Sequence, residues 1–417
     1  MQNSKIISGI DIGTSKVTTI IGQYFESEER HNVVAVSSFP ATGFRKGQII
    51  NLEQAVSTIT QSIESAERMA GFQINSATVS ITAPHIDSLN SKGVVAISSP
   101  DNEITQEDVS RVIEAAKAIS LPAGKEIIHV IPRIYTVDGQ EGVNDPIGMN
   151  GIRLEVEAHL ILASTSALKN LRKCLDEIGL KINSLVYSGL ATAYSSLTET
   201  EKELGVALID IGGTATSITI FSEGSPAYSA VLPLGANNVT NDLAIGLRFS
   251  LNDSEKIKIR LGKIIENKKF EDEIDISQFG LESDSKQKIS CQTAINGIIK
   301  PRLEEIFTLI SEQIQNSNFY DSIPAGIVLT GGGSQTVSIK DICGQIIPLP
   351  LRIAVPPKVG GIVDDIINPA YTSTLGLLMY SINDSKFNQK NFTSKKTKVS
   401  FDGLFGKIKN LLEPLLP

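Results

Sequence analysis

Apolar residues in the first part of the chain follow two different periods. Short runs rich in β-branched residues begin near Lys5, which is typical of strands. Residues 51–71 instead place apolar side chains three or four positions apart, at Leu52, Val56, Ile59, Ile63, Ala66 and Met69. This spacing predicts an amphipathic helix that ends at the glycine of position 71. Strands followed by such a helix predict an α/β domain.

A strand–turn–strand pattern occurs twice in the sequence. The segment GIDIGT at residues 9–14 reappears as LIDIGGT at residues 208–214, and a β-branched run follows each copy. Both copies place an aspartate and a glycine in the tight turn between two strands, which predicts a hairpin. The repeat therefore predicts two similar hairpins in two related halves of the molecule.

The pattern changes between the two copies, in residues 84–163. A helix is predicted to begin after Thr105, because Asp108 follows three residues later and can complete a capping box. Alternating apolar residues predict strands around this helix, at 93–97, 126–135 and 154–163. We interpret this region as a small α+β insertion.

The remaining chain is divided by its periodicity into helical, polar and terminal segments. Helices are predicted at 167–178 and 188–197, and residues 237–312 read as mostly helical with a charged loop near 268–288. From Asn383 the chain turns polar and loses its apolar period, which predicts a flexible linker. The predicted units are a first subdomain (1–83 and 164–187), the insertion (84–163), a second subdomain (188–236 and 313–382), a helical subdomain (237–312), the linker (383–400) and a terminal helix (401–417).

The terminal segment has the period of an amphipathic helix. Its bulky apolar residues recur at three-to-four spacing, at Phe401, Leu404, Phe405, Ile408, Leu411, Leu412 and Leu415. A helix that packs into a protein core would show the same period, but the polar linker in front of it favours a free helix. Linker lysines add attraction to anionic lipids. We expect this helix to bind reversibly to an anionic membrane surface.

Composition and charge exclude several classes of protein. A chain of 417 residues is long for one hydrophobic core, so two or more domains with a cleft between them are expected. The net charge of −8 argues against a general nucleic-acid binder, and no run reaches the roughly 18 apolar residues of a spanning helix. The N-terminal residues show no signal region, so export is not expected. Cys174, Cys291 and Cys343 lack metal spacing and are expected to be buried thiols.

The two turns carry residues that suit a metal-bound polyphosphate. Backbone N–H groups of such turns can meet phosphate oxygens, a lysine can neutralise charge, and an aspartate can hold Mg²⁺ or its waters. The phosphate-binding candidates are Gly13, Thr14, Ser15, Lys16, Gly212, Gly213 and Thr214, and the metal candidates are Asp11 and Asp210. A plain hairpin with a polar turn would explain either copy alone, but paired turns that face each other favour a phosphate clamp.

A third glycine turn follows an apolar strand, at Gly331, Gly332 and Gly333. Glycine lets the backbone approach a flat ligand closely, so this turn suits the nucleoside end of a nucleotide. A simple strand-to-helix turn explains the segment about equally well. Glu255 and Lys258 are three residues apart and share a helix face, as adenosine contacts would require, although a solvated ion pair would look the same.

The order of these motifs resembles the actin, heat-shock chaperone and sugar-kinase superfamily. Within it the chain closely resembles the FtsA family of bacterial cell-division actin homologues, over nearly its whole length. The segments 188–194 and 371–378 belong to the superfamily pattern, and the distinctive segments of the family are the insertion and residues 204–213 and 326–332. The resemblance implies an actin-like, two-lobed α/β ATPase fold in which one standard subdomain is absent and the insertion takes a different place.

The resemblance also implies a set of ligands and partners. It implies ATP with Mg²⁺ in the cleft, assembly into filaments, and location on the cytoplasmic face of the membrane at the division site. It implies that the helical subdomain binds the C-terminal peptide of the tubulin-like protein FtsZ, with Arg302 and Glu305 as candidate contacts on a helix at 296–310. An ordinary amphipathic helix explains those two residues nearly as well. Later division proteins would contact the insertion.

Hydrolysis is expected to be slow or undetectable. In hydrolysing members of the superfamily, a Glu or Gln that positions the attacking water starts the helix before the second hairpin, and Ser188 aligns with it here. A well-placed base is worth roughly 10²–10⁴ in rate. The chain is then mainly an ATP-binding assembly and adaptor protein.

Two other functions remain open from the sequence. An FtsA-like adaptor of pilus or secretion assembly would share both hairpins and the insertion, although it would not need an amphipathic tail behind a basic linker. A soluble small-molecule kinase of the same fold would need a carboxylate base for its acceptor hydroxyl, and the sequence offers no clear candidate.

Overall fold

The computed structural model describes residues 4–26, 30–266, 273–279, 288–361 and 366–393. The predicted terminal helix at 401–417 and its membrane-binding residues lie outside the described residues. Among the described residues, no helix is both long and apolar enough to cross a membrane. Cys174, Cys291 and Cys343 are buried free thiols, as predicted.

The first lobe begins with the predicted hairpin, a third strand and the predicted helix. Its elements are β1 (Ser4–Ile12), β2 (Lys16–Phe25), β3 (Arg30–Pro40), β4 (Phe44–Arg45), β5 (Gln48–Ile49), α1 (Leu52–Ala70) and β6 (Ser76–Ile81). The side chain of Asn51 accepts a hydrogen bond from the Gln54 N–H and so caps the start of α1, and Gly71 ends the helix in the left-handed conformation. The helix predicted at 51–71 is confirmed.

The insertion folds as a four-stranded antiparallel sheet with one helix. Its elements are β7 (Asp87–Ala96), α2 (Gln106–Lys117), β8 (Lys125–Val137), β9 (Gln140–Val143) and β10 (Arg153–Ser164), and the strand order is β7-β10-β8-β9. Thr105 and Asp108 form the predicted capping box. The short strand β9 was not predicted from the sequence. It forms only because its residues pair with the neighbouring strand β8.

The chain then returns to the first lobe and crosses to the second. The elements are α3 (Thr165–Ile178), β11 (Lys181–Tyr187), α4 (Ser188–Ser196), α5 (Glu199–Leu204), β12 (Val206–Ile211), β13 (Thr216–Ser222) and β14 (Ser225–Leu232). The helices predicted at 167–178 and 188–197 are confirmed with small shifts at their ends. The second predicted hairpin is confirmed as β12 and β13.

The next region is mostly helical, as predicted. Its elements are α6 (Ala236–Leu247), α7 (Leu251–Glu266), β15 (Glu273–Asp275), β16 (Lys288–Ser290), α8 (Cys291–Ala294) and α9 (Lys300–Asn316), with a π-helical turn between α8 and α9. The short pair β15–β16 borders the segment that the sequence predicts as a charged loop. The hydrophobic core under these helices is continuous with one face of the second sheet.

The final described elements return to both lobes. They are β17 (Ile327–Thr330), α10 (Ile339–Ile346), β18 (Leu351–Ile353), β19 (Gly360–Gly361) and α11 (Thr372–Thr393). The helix α11 extends over the first part of the segment predicted as a flexible linker, so the linker interpretation is corrected up to Thr393. No Gly or Pro interrupts residues 383–393, and nothing in their sequence therefore ends the helix.

The two large sheets share one topology. The first has the order β11-β6-β1-β2-β3 with β19 added at its edge, and the second has the order β18-β17-β12-β13-β14. In both, a hairpin and a third antiparallel strand lie beside two parallel strands. Buried residues of both sheets, such as Val17 and Ala215, belong to one hydrophobic cluster at the base between the lobes. The two repeated hairpins therefore meet over a common core.

Candidate functional site

The turns of the two repeated hairpins have the same backbone geometry and touch each other. In the first turn the Gly13 N–H donates to the Lys16 carbonyl at 3.1 Å, and in the second the Gly212 N–H donates to the Ala215 carbonyl at 2.9 Å. The Thr214 N–H donates to Thr14 Oγ1 across the two lobes at 3.0 Å. The predicted pair of facing turns is present.

A cleft of about 960 Å³ opens above these turns. This volume lies in the range of ligand pockets. Its lining includes most of the residues that the sequence predicts for phosphate, metal and adenosine contacts, namely Asp11, Gly13, Thr14, Ser15, Lys16, Asp210, Gly212, Gly213, Glu255, Lys258, Gly331, Gly332 and Gly333. The structure thus brings together residues from four separate segments of the sequence.

Thr214 is not part of that lining, but its side chain is notable. Its Oγ1 is buried and has no hydrogen-bond partner among the described residues. A buried hydroxyl without a partner is costly, because it has lost its bonds to water. The second turn therefore holds a polar atom that a ligand or an ordered water would satisfy.

Asp11 is held by three hydroxyl groups. Ser80 Oγ donates to its Oδ1 at 2.5 Å, and Ser373 Oγ and Thr374 Oγ1 donate to its Oδ2 at 2.5 Å and 3.1 Å. The residue is buried at the base of the cleft. Hydrogen bonds from three hydroxyl groups fix the orientation of this carboxylate.

Asp210 faces the same cleft and has one hydroxyl partner among the residues that the structure describes. Thr192 Oγ1 donates to its Oδ2 at 3.0 Å. Burial raises the pKa of Asp210 to about 6, and the negative charge of Asp11 adds to the rise, while Thr192 and Lys16 oppose it. The two repeated aspartates therefore have different environments.

Lys16 brings the positive charge to the first turn. Its Nζ lies 3.5 Å from the centroid of the Tyr371 ring, which is a cation–π contact. Burial lowers the pKa of Lys16, and the charges of Asp11 and Asp210 partly offset this. A partly desolvated cation between two aspartates is well placed to meet an anionic ligand.

Two glycines are required where backbones approach closely. Gly331 has a φ of +82°, and a Cβ there would lie 2.2 Å from Asp210 Oδ1. A Cβ on Gly213 would lie 1.7 Å from Ser15 Oγ of the facing hairpin. Side chains at these positions would therefore displace residues of the cleft.

The predicted adenosine pair lies at the edge of the helical region. Glu255 Oε2 receives hydrogen bonds from Lys258 Nζ at 2.7 Å and from Thr240 Oγ1 at 2.5 Å. Lys258 also donates to the Ala236 carbonyl and to Thr240, and its side chain is buried. The alternative of a solvated ion pair is therefore wrong for Lys258, because the helices α6 and α7 enclose its charge.

The described residues fit a magnesium–nucleotide complex. Mg²⁺ in nucleotide sites usually takes one or two carboxylates together with phosphate oxygens and waters. Asp11 and Asp210 supply such a pair, and the described part of the chain holds no group of three or more His, Cys, Asp or Glu that could bind a metal without phosphates. Lys16, which also lines the cleft, offers a cation for phosphates, and the glycine at 331 keeps its turn clear of the Asp210 carboxylate.

Ser188 begins α4, at the position where hydrolysing members of the superfamily carry a residue that positions the attacking water. Its Oγ accepts a hydrogen bond from Thr82 Oγ1, and Thr82 lines the cleft. Neither side chain can act as a strong base. At this position the two hydroxyl groups are hydrogen-bonded to each other.

Arg302 and Glu305 lie on α9, away from the lining of the cleft. Arg302 forms an ion pair with Asp242 of α6, at 2.5 Å from Nε to Oδ2, and also contacts Glu305. These contacts join α6 to α9 at the surface of the helical region. The carboxylates of Asp242 and Glu305 hold the pKa of Arg302 above its usual value.

Several residues of the cleft were missed from the sequence. Ser80, Thr192, Tyr371, Ser373 and Thr374 all contact a predicted site residue. They lie far along the chain from their partners. The segments 188–194 and 371–378, which carry the family resemblance, contain four of these residues, but their local sequence does not indicate which site residue each one contacts.

Comparisons with known proteins agree with this architecture. The family model "SHS2 domain inserted in FTSA" matches residues 83–162, and the family model "Cell division protein FtsA" matches residues 207–376. The cell division protein FtsA of Pseudomonas aeruginosa is 40% identical, and the match covers 92% of this chain and 90% of that protein. FtsA of Borreliella burgdorferi is 38% identical, with 95% and 96% covered.

Solved structures with low sequence identity share the fold. The PilM–PilN type IV pilus biogenesis complex has a TM-score of 0.62 at 17% identity, over 90% of this chain and 98% of that one. MreB5 of Spiroplasma citri bound to ADP has a TM-score of 0.53 at 16% identity, over 92% and 99%. These structures establish the actin-like fold alone, and the likeness to a pilus protein does not favour the pilus alternative. By sequence, the chain belongs to the FtsA family of bacterial cell-division proteins.

Proposed function

We propose that the chain binds ATP with Mg²⁺ between its two hairpins and uses the nucleotide as an assembly ligand. The facing of two repeated turns, joined by the bond from Thr214 to Thr14, carries this proposal. A single polar turn has many explanations, but two matched turns that line one cleft with both aspartates beneath them suit a polyphosphate. The ADP bound to MreB5 of the same fold supports the choice of nucleotide.

Each part of the cleft has a distinct role in this proposal. Backbone N–H groups of the two turns bind the phosphates, and Lys16 neutralises their charge. Asp11 and Asp210 hold Mg²⁺ directly or through its waters, and the metal neutralises charge on the phosphates. The ion pair of partly exposed Glu255 with buried Lys258 and the glycines at 331–333 hold the adenosine.

Slow hydrolysis follows from the same geometry. Attack on a phosphate needs a water that is oriented by an acceptor, and Ser188 and Thr82 bond to each other at that place. A missing water-positioning group lowers the rate by roughly 10²–10⁴. Bound ATP would then persist and favour one arrangement of the lobes.

Family membership supports a cellular role beyond nucleotide binding. We propose that the protein assembles into filaments on the cytoplasmic face of the membrane at the division site, where it tethers FtsZ and recruits later division proteins through the insertion. Attachment would come from the amphipathic sequence at 401–417, whose two Phe residues and apolar period suit an anionic lipid surface. Assembly would strengthen attachment, since linked anchors raise the effective concentration.

The proposed contact for the FtsZ peptide is the surface formed by α6 and α9. Arg302 presents part of its guanidinium there, and Asp242 and Glu305 orient it. The Arg302 side chain is about one quarter exposed, and arginine is enriched among the residues that anchor interfaces. These residues also stabilise the helical region itself, so an experiment must separate the two roles.

Co-sedimentation with anionic liposomes tests the membrane role. The full chain is compared with a chain that ends at Thr393, which keeps all of α11, and with the full-length variant Phe405→Asp. We expect the full chain to sediment with liposomes and both changed chains to stay in solution. Equal sedimentation of all three would contradict the membrane role.

Binding of an FtsZ C-terminal peptide tests the proposed contact. Arg302→Ala should lower the affinity by about tenfold, because anchoring arginines contribute more than 1 kcal/mol. Arg68→Ala removes an exposed arginine of α1 that forms an ion pair with Glu64 on the same helix, and it serves as the matched control. Melting temperatures of both variants separate lost contact from lost folding. Unchanged affinity in Arg302→Ala would contradict the assignment.

A further inference from the structure

The first turn of α11 makes direct contact with the carboxylate of Asp11. Ser373 Oγ and Thr374 Oγ1 both donate to Oδ2, and Ser80 Oγ from β6 donates to Oδ1. Ser373 is 362 residues away from Asp11 along the chain. Two consecutive hydroxyls on one carboxylate oxygen are more than a helix cap requires.

These bonds determine which part of the carboxylate remains available. An ionised carboxylate offers about four lone-pair sites, two on each oxygen. The hydroxyls of Ser373 and Thr374 fill both sites of Oδ2, and Ser80 fills one site of Oδ1. One site on Oδ1 is therefore left among the described contacts. Asp11 can offer the cleft a single, oriented oxygen.

The helix turn that carries these hydroxyls is itself fixed. Thr372 Oγ1 lies 2.8 Å from Thr330 Oγ1 at the end of β17, and Ser195 Oγ of α4 donates to the Thr372 carbonyl at 2.6 Å. Thr372 and Thr374 are buried. The first turn of α11 thus bonds to β17 of the second lobe and to α4, while the next turn packs on β1 and β2 of the first lobe through Leu375 and Leu378. The helix that carries these two donors therefore contacts both lobes at the proposed metal site.

We propose that Ser373 and Thr374 are positioning residues for the Mg²⁺–nucleotide complex. They hold Asp11 so that the free site of Oδ1 meets the metal or one of its waters. The inference rests on the proposed nucleotide function and adds residues to it. Groups that orient a metal-binding carboxylate from behind commonly change metal affinity by 10–100-fold when they are removed.

A purely structural role makes a different prediction. If the hydroxyls only satisfied a buried carboxylate, their loss would weaken the fold and would lower ATP affinity equally with and without Mg²⁺. If they position Asp11, the loss falls on the Mg²⁺-dependent part of the affinity. The ratio of the two affinities therefore separates the roles.

Isothermal titration calorimetry of the full chain with ATP, in Mg²⁺ and in EDTA, tests the inference. Ser373→Ala should weaken binding by about tenfold in Mg²⁺ and leave binding in EDTA unchanged. Thr374→Val keeps the side-chain shape and should weaken binding in Mg²⁺ by about threefold, because its bond is longer. Thr374→Ser retains the hydroxyl and should bind like the unsubstituted chain.

Ser381→Ala is the matched control. Ser381 lies on the same helix, and its hydroxyl donates to the Leu377 carbonyl rather than to Asp11. This variant should keep the unsubstituted affinity in both solutions. An equal loss in Mg²⁺ and EDTA for Ser373→Ala, or no loss at all, would overturn the inference while leaving the nucleotide function in place. Absence of ATP binding by the unsubstituted chain would overturn the proposed function and the inference with it.

Discussion

The two repeated hairpins share a backbone but differ in chemistry. Both pair an aspartate with the second strand in the same register, Asp11 with Thr18 and Asp210 with Ser217, and both close their turns with the same carbonyl bond. At the residue that accepts this bond, the first turn has Lys16 and the second has Ala215. The first hairpin therefore supplies a lysine cation to the cleft. The second hairpin supplies backbone groups and leaves space at the equivalent position.

The aspartates differ in the same way. Asp11 has three hydroxyl donors, while Asp210 has one donor and a pKa raised to about 6. When two carboxylates in one site have different environments, they take different roles. The internal repeat therefore determines the backbone geometry of the two turns, whereas single residues around them give the two aspartates different roles.

The lysine gives the largest expected difference between the hairpins. Lys16→Ala should weaken Mg²⁺–ATP binding by about 100-fold, since a hydrogen bond to a charged group contributes roughly 1.5–3 kcal/mol. Lys92→Ala removes an exposed lysine of β7 and gives the same change in net charge, so it should bind normally. Calorimetry on both variants checks this. Equal affinities would show that the hairpins do not differ as proposed.

Removal of the second carboxylate should stabilise the ligand-free protein. The folded-state pKa of Asp210 lies above its ordinary value of 3.8, so folding favours the protonated form. Its contribution to stability is full below that value and is lost as the pH rises through about 6. At pH 7, Asp210→Asn should therefore increase the free energy of unfolding by on the order of 2 kcal/mol.

Thermal unfolding in EDTA at pH 7 and pH 5 measures this effect. The advantage of Asp210→Asn should shrink at pH 5, where part of the unsubstituted Asp210 is protonated in the folded state. Asp11→Asn is the partner variant, and it should lower stability because three hydroxyls lose a charged acceptor. Equal shifts for the two variants would remove the distinction between the aspartates.

The close approach of the hairpins gives a smaller expected effect. Gly213→Ala places a Cβ against Ser15 Oγ and should widen the gap between the turns, with a loss of ATP affinity of about tenfold. The double variant Gly213→Ala with Ser15→Gly removes the clash and should recover part of this loss. A single variant that binds as well as the unsubstituted chain would show that the turns need not meet.

The pH dependence of binding gives the smallest effect. Protonation of Asp210 removes a negative charge from the proposed Mg²⁺ site, so Mg²⁺–ATP affinity should fall several-fold as the pH drops from 7 towards 5, through the pKa of about 6. Asp210→Asn should bind more weakly and show little change over this range. Titrations at fixed ionic strength check the profile. The same slope in both proteins would assign the pH dependence to another group.

The framework of the site could be predicted from the sequence because its signals are local. The hairpins, the helix α1 with its caps and the capping box of α2 depend on residues that are close along the chain. The two hairpin turns of the cleft could be placed together because repeated strand–turn units occupy equivalent places in two related sheets.

The contacts that distinguish the hairpins could not be predicted in this way. The hydroxyls of Ser373 and Thr374 reach Asp11 only because α11 crosses from one lobe to the other. The same helix continues where the polar composition predicted a linker, since polar residues without Gly or Pro are compatible with both. Tertiary packing determines both the contacts of α11 and the length of this helix. The packing partners cannot be identified from the local sequence.

The proposed binding of Mg²⁺–ATP between the two hairpins is tested by a structure of the chain with Mg²⁺ and a non-hydrolysable ATP analogue. We expect the β- and γ-phosphates to lie between residues 13–16 and 212–214, with Mg²⁺ or one of its waters at Asp11 Oδ1. The adenosine should lie near Glu255, Lys258 and the glycines 331–333. A nucleotide that contacts only one hairpin, or that lies outside the cleft, would rule out this binding mode.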